Sequence, residues 1–151
     1  MIELTPEVVL VNKAKRFAIK AHGDQMYAKY PYEHHLQGVA DLVQKRNKDH
    51  KDLHVLLAIA WLHDVVEDTE ATYEQLLELF GFEVAGAVRL LTKREGQPYN
   101  VYLHGIKLNP FACEVKKCDT MFNLYTSFKG SRVKGIKKYS KQLSILEEGN
   151  E

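Results

Sequence analysis

A chain of 151 residues and 17.4 kDa suits one domain over residues 1–151, able to bury roughly 68–70% of its unfolded surface without staples. Its 45% hydrophobic and 27% charged residues are ordinary for a globular protein and exclude disorder. The formal net charge of +1, from 21 basic and 20 acidic residues, lacks the basic excess of a dedicated nucleic-acid binder, and no run approaches the ~18 apolar residues of a membrane span. Neither nucleic acid nor membrane is therefore an expected partner. The opening Met-Ile-Glu-Leu-Thr-Pro lacks the basic and apolar regions of a signal peptide. Cys113 and Cys118, five apart, form neither a disulfide framework nor a CxxC pair. The expected location is the reducing cytoplasm.

In chain order, Thr5-Pro6 reads as an N-cap followed by proline at the first helical position. Leu10, Ala14, Phe17, Ala18 and Ala21 follow at helical spacing and stop before Gly23. Residues 23–30 read as a loop. A second helix is predicted from near Pro31, with His35, Val39, Leu42 and Val43 on one stripe. A third runs from about Asp52 to Val65, turning Leu53, Leu56, Leu57, Ala60 and Asp64 inward. Thr72 with Gln75 forms a capping-box pattern for a short fourth helix that Gly81 closes. Val84, Val88 and Leu91 mark a fifth, residues 92–98 a loop, and Asn100 to Leu108 a sixth. Asn109-Pro110 starts a seventh, on which Ala112, Val115, Asp119 and Phe122 align. The last covers about Ser131 to Glu147 and buries Val133, Ile136, Leu143 and Leu146. With no period-2 strand pattern, the prediction is an all-α bundle of about eight helices.

Charge is balanced overall but not locally. Residues 64–88 hold seven acids and no lysine or arginine, whereas residues 129–141 hold six basic residues and no acid. These are either two solvated helix faces or a cation-holding pole and an anion-holding pole. The densest polar segment is Trp61-Leu62-His63-Asp64-Val65-Val66-Glu67-Asp68-Thr69. A histidine nitrogen beside a carboxylate oxygen suits a divalent transition metal, and Glu67 and Asp68 follow one turn later, in reach of a proton on a water held there. The same segment also reads as a helix end with solvated acids and one buried histidine. His35 shares the apolar stripe of its helix, whereas His34 aligns with Gly38, Asp41 and Lys45 on a polar one. Asp119 is a carboxylate on a core stripe, where burial without a partner costs several kcal/mol. A cation or a Lys116–Asp119 ion pair would each meet that need. Together His35, His63, Asp64 and Asp119 offer two nitrogens and two carboxylates, a set for a higher-coordinate metal with positions left open.

The order of these residues resembles the HD superfamily of metal-dependent phosphohydrolases. More narrowly, the chain is similar to the guanosine polyphosphate hydrolase domain of RelA/SpoT proteins and their small stand-alone relatives. The matching segments are Ala21-His22-Gly23-Asp24-Gln25, Pro31-Tyr32-Glu33-His34-His35, the segment from Leu62 to Thr69, Leu91-Thr92-Lys93-Arg94-Glu95-Gly96, Asn109-Pro110 and Val115-Lys116-Lys117-Cys118-Asp119 on to Asn123. The resemblance implies one metal, usually manganese, on His35, His63, Asp64 and Asp119. It implies Glu67 and Asp68 as the catalytic pair, and removal of the 3′-pyrophosphate of ppGpp or pppGpp to give GDP or GTP. Asn123 falls where the family contacts the nucleotide sugar, and Tyr139 where a tyrosine lines the same pocket.

Two departures stand out. Where the family carries basic residues after Gln25, this chain reads Met26-Tyr27-Ala28-Lys29, and the family's proline after the metal histidine is Leu36. Tyr27 remains able to stack on a purine and Lys29 to reach a phosphate. The expected partner is thus a small-molecule nucleotide. The alternatives are an HD phosphohydrolase for another phosphorylated nucleotide (NADPH, a nucleoside monophosphate or a cyclic dinucleotide) and a non-catalytic HD binding domain. No stretch resembles the synthetase domain of the long RelA/SpoT proteins, so alarmone synthesis is not expected. The sequence sets no oligomeric state.

Overall fold

Local capping rules account for most of the helix starts. The computed structural model describes residues 4–149, so the first three residues of the opening segment read for targeting lie outside it. The Thr5 hydroxyl accepts from Val8 N at 3.3 Å and opens α1 (Pro6–His22), which Gly23 closes at φ 53°. A side chain would be strained at that left-handed position. The stretch read as a loop holds a small antiparallel hairpin, β1 (Met26–Tyr27) and β2 (Tyr30–Pro31), with Tyr27 opposite Tyr30. Ala28, at φ 52°, supplies the positive φ that a two-residue hairpin turn needs. Strands of two residues are too short to show a period-2 pattern.

Next come α2 (Tyr32–Arg46), α3 (Leu53–Leu62) and the single-turn α4 (Val65–Asp68). The predicted third helix therefore stops earlier, at Leu62, and His63 and Asp64 form a break before the chain turns helical again. The one-sided stripe expected there is also corrected. Val55, Leu56, Ala58, Ile59, Ala60, Trp61 and Leu62 are all buried, while Leu53 and Leu57 are only half-buried. A helix apolar all round belongs at the centre, and α1 and α2 pack against it. α5 (Tyr73–Phe80) starts on the predicted capping box, and Gly81 at φ 85° turns the chain into α6 (Phe82–Leu91). α7 (Tyr99–Lys107), α8 (Pro110–Lys129) and α9 (Val133–Glu147) complete the bundle, with Asn109 Oδ1 accepting from Ala112 N at 3.1 Å at the start of α8.

Among the described residues there are eight helices of at least eight residues, plus α4 and the hairpin, so the all-α reading holds. None is long and apolar enough to cross a membrane. The inward face of α9 differs from expectation. Val133 is 61% exposed and Ile136 and Leu143 are half-buried, while Gln142 and Leu146 are buried. The reason is polar: Gln142 accepts from Thr120 of α8 and bonds Tyr99 of α7, which a hydrophobic stripe cannot anticipate.

Helices α2 and α8 bring ligand candidates together and are fastened at two places. Gly38 lies where the Phe122 ring crosses α2, and a Cβ there would overlap that ring. At the far end Arg46 Nε and Nη2 donate to Glu114 at 2.9 and 3.3 Å, and Asn47 Nδ2 adds 2.9 Å. Burial pushes the Glu114 carboxyl up, but these donors and the Arg46 charge outweigh it and hold it below the usual range. A depressed folded pKa contributes stability above the unfolded value of roughly 4.3 that is lost as pH falls through the folded one. Glu114→Gln should therefore cost about 1 kcal/mol at pH 7, discounted because Arg46 is over a third exposed. Urea unfolding should show the difference vanish in acid.

Candidate metal centre

Three parts of the fold converge on one point. His35 comes from the inner face of α2, His63 and Asp64 from the break after α3, and Asp119 from the middle of α8. Their donor atoms all lie within 4.8 Å of one another. His35, His63 and Asp119 are 1%, 2% and 4% exposed. Asp64, at φ −104° and ψ 0°, sits in the sparsely populated bridge region that active-site residues often occupy.

The hydrogen-bond arithmetic shows what this group lacks. His63 Nδ1 lies 2.6 Å from Ala60 O, a carbonyl that only accepts, so Nδ1 carries the hydrogen and a neutral ring turns a lone pair outward at Nε2. That nitrogen is buried without a hydrogen-bond partner, yet it faces Asp64 Oδ2 at 3.0 Å and Asp119 Oδ1 at 3.3 Å. His35 Nε2 points at the same two oxygens, 3.7 and 2.9 Å away. Electron-rich atoms converging in a buried site require a cation between them, either a proton or a metal ion. The chemistry of the donors, two imidazoles and two carboxylates without a thiolate, fits a divalent transition metal with open coordination positions.

The electrostatics agree. Burial works against charge on His63, but Asp64 and Asp119 raise its pKa well above the ordinary imidazole value. Burial likewise opposes ionisation of Asp119, but Lys116 first, then His35 and His63, hold it well below the carboxylate range. Asp64 is brought down to about 2, chiefly by His63 against the cost of burial. Of the two explanations offered for Asp119, the Lys116 ion pair is made, and it leaves one carboxylate oxygen for the cluster. Lys116 Nζ sits 3.0 Å from Oδ2, while Oδ1 faces the two histidines and accepts from Asn123 Nδ2 at 3.2 Å.

A cavity of about 290 Å³ opens onto this cluster, lined by His35, Asp64, Glu67, Asp68 and Asp119 among others. Glu67 and Asp68, exposed at the end of α4, stand in the wall of that cavity. Glu67 Oε1 accepts from Lys93 N at 2.8 Å. Partial burial pushes its carboxyl up, against the pull of that amide. Tyr27, Asn123 and Tyr139 line the same cavity. Tyr27 donates to Asn123 Oδ1 at 2.6 Å and stacks one ring face on His35, centroids 4.6 Å apart.

Lys29 is the exception among the site residues expected from sequence. It sits exposed in the turn of the hairpin with Nζ over the Tyr30 ring at 5.6 Å, and it does not line the cavity. The tight turn after Tyr27 carries it away.

Sequence reasoning missed Tyr32, whose hydroxyl donates to Asp64 Oδ2 at 2.5 Å, and the cavity walls Lys93, Tyr99, Tyr102, Lys138 and Gln142. Tyr32 left a signal, since it precedes His35 by three positions on the same helix face. The others reach the cavity only through tertiary packing.

Helical phase separates the neighbouring histidines as expected: His34 is exposed, with its ring stacked on Tyr30, whereas His35 is buried. His34→Ala should leave divalent-cation affinity unchanged and His35→Ala should abolish it, as titration calorimetry will read. A tolerant position 35 with a sensitive position 34 would reverse the assignment.

Known proteins give the kinship. No family model matches the chain. It is 32% identical to the GTP pyrophosphokinase rsh of Brucella ovis over 92% of this chain and 19% of that protein. It is 37% identical to the guanosine-3′,5′-bis(diphosphate) 3′-pyrophosphohydrolase of Aquifex aeolicus over 55% of this chain and 12% of that one. A solved metazoan ortholog of SpoT, described as hydrolysing ppGpp, matches with a TM-score of 0.77 at 21% identity, over 98% of this chain and 89% of that one. The chain has the HD fold and is similar to the RelA/SpoT proteins. It spans about a fifth of the length of the Brucella relative. Among the described residues the His/Asp cluster is a group that could hold a metal.

Proposed function

We propose that the chain is a manganese-dependent hydrolase that removes the 3′-pyrophosphate of ppGpp or pppGpp to give GDP or GTP. One observation carries the reading: His35, Asp64 and Asp119 of the donor cluster, the acid pair Glu67 and Asp68, and the cationic Lys93, Lys116 and Lys138 line a single cavity. The name of the Aquifex relative supports the guanosine polyphosphate as substrate, and that of the Brucella relative a guanine nucleotide.

His35, His63, Asp64 and Asp119 would hold the ion. A divalent cation there supplies Lewis-acid chemistry, making water more acidic and drawing charge from a phosphoryl oxygen. The remaining work belongs to the chain. Glu67, held through its Oε1 by the Lys93 amide, keeps its other oxygen to accept a proton from the attacking water. Asp68, beside it in the wall of the same cavity, would relay that proton to the leaving oxygen. An adjoining cavity of about 710 Å³ shares Tyr27, Asn123, Lys138 and Tyr139 and adds Arg132 and Lys134. Its basic side chains suit the far phosphates of a nucleotide that carries them at both ends. The basic stretch 129–141 thereby acquires a use, through Arg132, Lys134 and Lys138.

A second reading keeps the chemistry and changes the nucleotide. It is favoured by the hairpin, because Lys29 turns away and Tyr27 commits one ring face to His35. Incubating the protein with ppGpp, NADPH, nucleoside monophosphates and cyclic dinucleotides, with and without manganese, separates the two. Manganese-dependent release of GDP and pyrophosphate from ppGpp is expected. Turnover of another nucleotide with ppGpp untouched overturns the substrate, and binding without turnover of any would mark a non-catalytic domain.

A further inference from the structure

Asp68 stands on a ridge between two cavities. One is the cavity of the donor cluster; the other, of about 760 Å³, lies against the end of α1 and includes Lys20, His22, Gln25 and Gln75 in its wall. An exposed aspartate with open space on both sides can turn either way. Among the described residues its side-chain partner is Gln25, whose Nε2 donates to Asp68 Oδ2 at 3.2 Å.

Gln25 is oriented in turn, with Oε1 2.8 Å from His22 Nδ1. The polarity of this chain follows from the acid at its end. An ionised carboxylate only accepts, so Gln25 turns its NH₂ to Asp68 and its carbonyl to His22, and His22 Nδ1 carries the hydrogen. The other ring nitrogen agrees, because Nε2 is buried without a partner. A bare nitrogen tolerates that position better than an N–H group does. His22, buried as the last residue of α1, stacks on Tyr32 with centroids 4.5 Å apart. The backbone is fastened at the same point: Gln25 N donates to His22 O, and Tyr32 N donates to Gln25 O, both at 3.0 Å.

We propose that His22 and Gln25 are positioning residues that hold the Asp68 carboxylate toward the donor cluster. The ring fixes the amide, and the amide restrains the acid. The inference rests on the reading of Asp68 as a proton-transfer group. Neither residue lines the cavity of the donor cluster: the Gln25 side chain reaches it through Asp68, while the His22 ring also backs Tyr32, a wall of that cavity.

The test compares Gln25→Ala, His22→Ala and His22→Asn with Asp68→Asn in the full chain, loaded with manganese and assayed on ppGpp. Gln25→Ala and His22→Ala should each lower kcat about 10-fold, as expected when a catalytic group loses its alignment, with KM and manganese content unchanged. An asparagine side chain presents an N–H near the place of Nδ1, so His22→Asn should recover most of the rate. In the Asp68→Asn background, Gln25→Ala should add no further loss. Gln25 is only half-buried, so its variant remains informative even if His22→Ala fails to fold.

A readout independent of turnover is the ¹⁵N NMR spectrum of the full chain, which should show His22 hydrogen-bearing at Nδ1. Wild-type kcat in Gln25→Ala alongside a slow Asp68→Asn would overturn the positioning role alone. So would a hydrogen on Nε2 only, or fully additive losses in the double variant. A wild-type rate in Asp68→Asn would instead remove the catalytic reading beneath it, and the positioning role with it.

Discussion

Replacing His63 or Asp64 by alanine should abolish retention of a divalent cation and all hydrolysis, while the helical content stays intact. His63 Nε2 and Asp64 Oδ2 lie 3.0 Å apart on one side of the cluster, and no other donor among the described residues stands ready to replace either. The fold should survive for separate reasons. Asp64 sits at the break between α3 and α4, so alanine there interrupts no long helix, and it removes one of two buried carboxylates that oppose each other when no ion is bound. His63→Ala empties a buried volume and forfeits the bond to Ala60, which costs stability but leaves α3 anchored by its own apolar surface. Elemental analysis after dialysis, with far-ultraviolet circular dichroism beside it, reads both halves of the expectation. Full occupancy in both variants would show that the ligand assignment is wrong.

Glu67→Gln and Asp68→Asn should keep the ion and still bind nucleotide, yet turn over at least ~100-fold more slowly, the lower end of what positioned acid–base groups contribute. Each substitution preserves shape and removes a proton-accepting oxygen. The pH profile adds a second expectation for Glu67. Its carboxyl must be ionised to accept a proton, and burial raises its pKa, so the acid limb of kcat should lie above the ordinary glutamate value of roughly 4.3. That limb should be missing from the residual rate of Glu67→Gln. Wild-type turnover in both variants would reduce the pair to a helix end that happens to line a cavity.

Much of this was legible because the signals were local. Thr5-Pro6, Thr72 with Gln75 and Asn109-Pro110 announce helix starts through hydrogen bonds spanning three residues, and each is made as expected. The 3.6-residue period sufficed to send His35 inward and His34 outward. What the sequence hid depends on partners far along the chain. Gln142 is buried only because Thr120 and Tyr99 bond it, so hydrophobic periodicity chose Val133 instead. Lys29 was credited with reach, but the backbone turn at Ala28, not side-chain length, decides its direction. Glu67 is held by a main-chain amide, and a main-chain group leaves no trace in residue identity. Tyr32 shows the opposite case: its position was visible, but nothing short of three dimensions could give its hydroxyl a partner.

The distance along the chain between the ligands has a thermodynamic consequence. Positions 35, 63, 64 and 119 approach one another only when α2, the α3–α4 break and α8 are docked, so the unfolded polypeptide presents no comparable chelate. An ion that recognises only the folded form drags the folding equilibrium with it, by about 2.7 kcal/mol at a free concentration one hundred times its dissociation constant. With an ion held by these four residues, melting temperature would gauge cation supply, and a chelator would act on this protein as a mild denaturant. The same three segments build the cluster and knit the bundle, so the chemistry and the integrity of the fold would draw on a single reservoir.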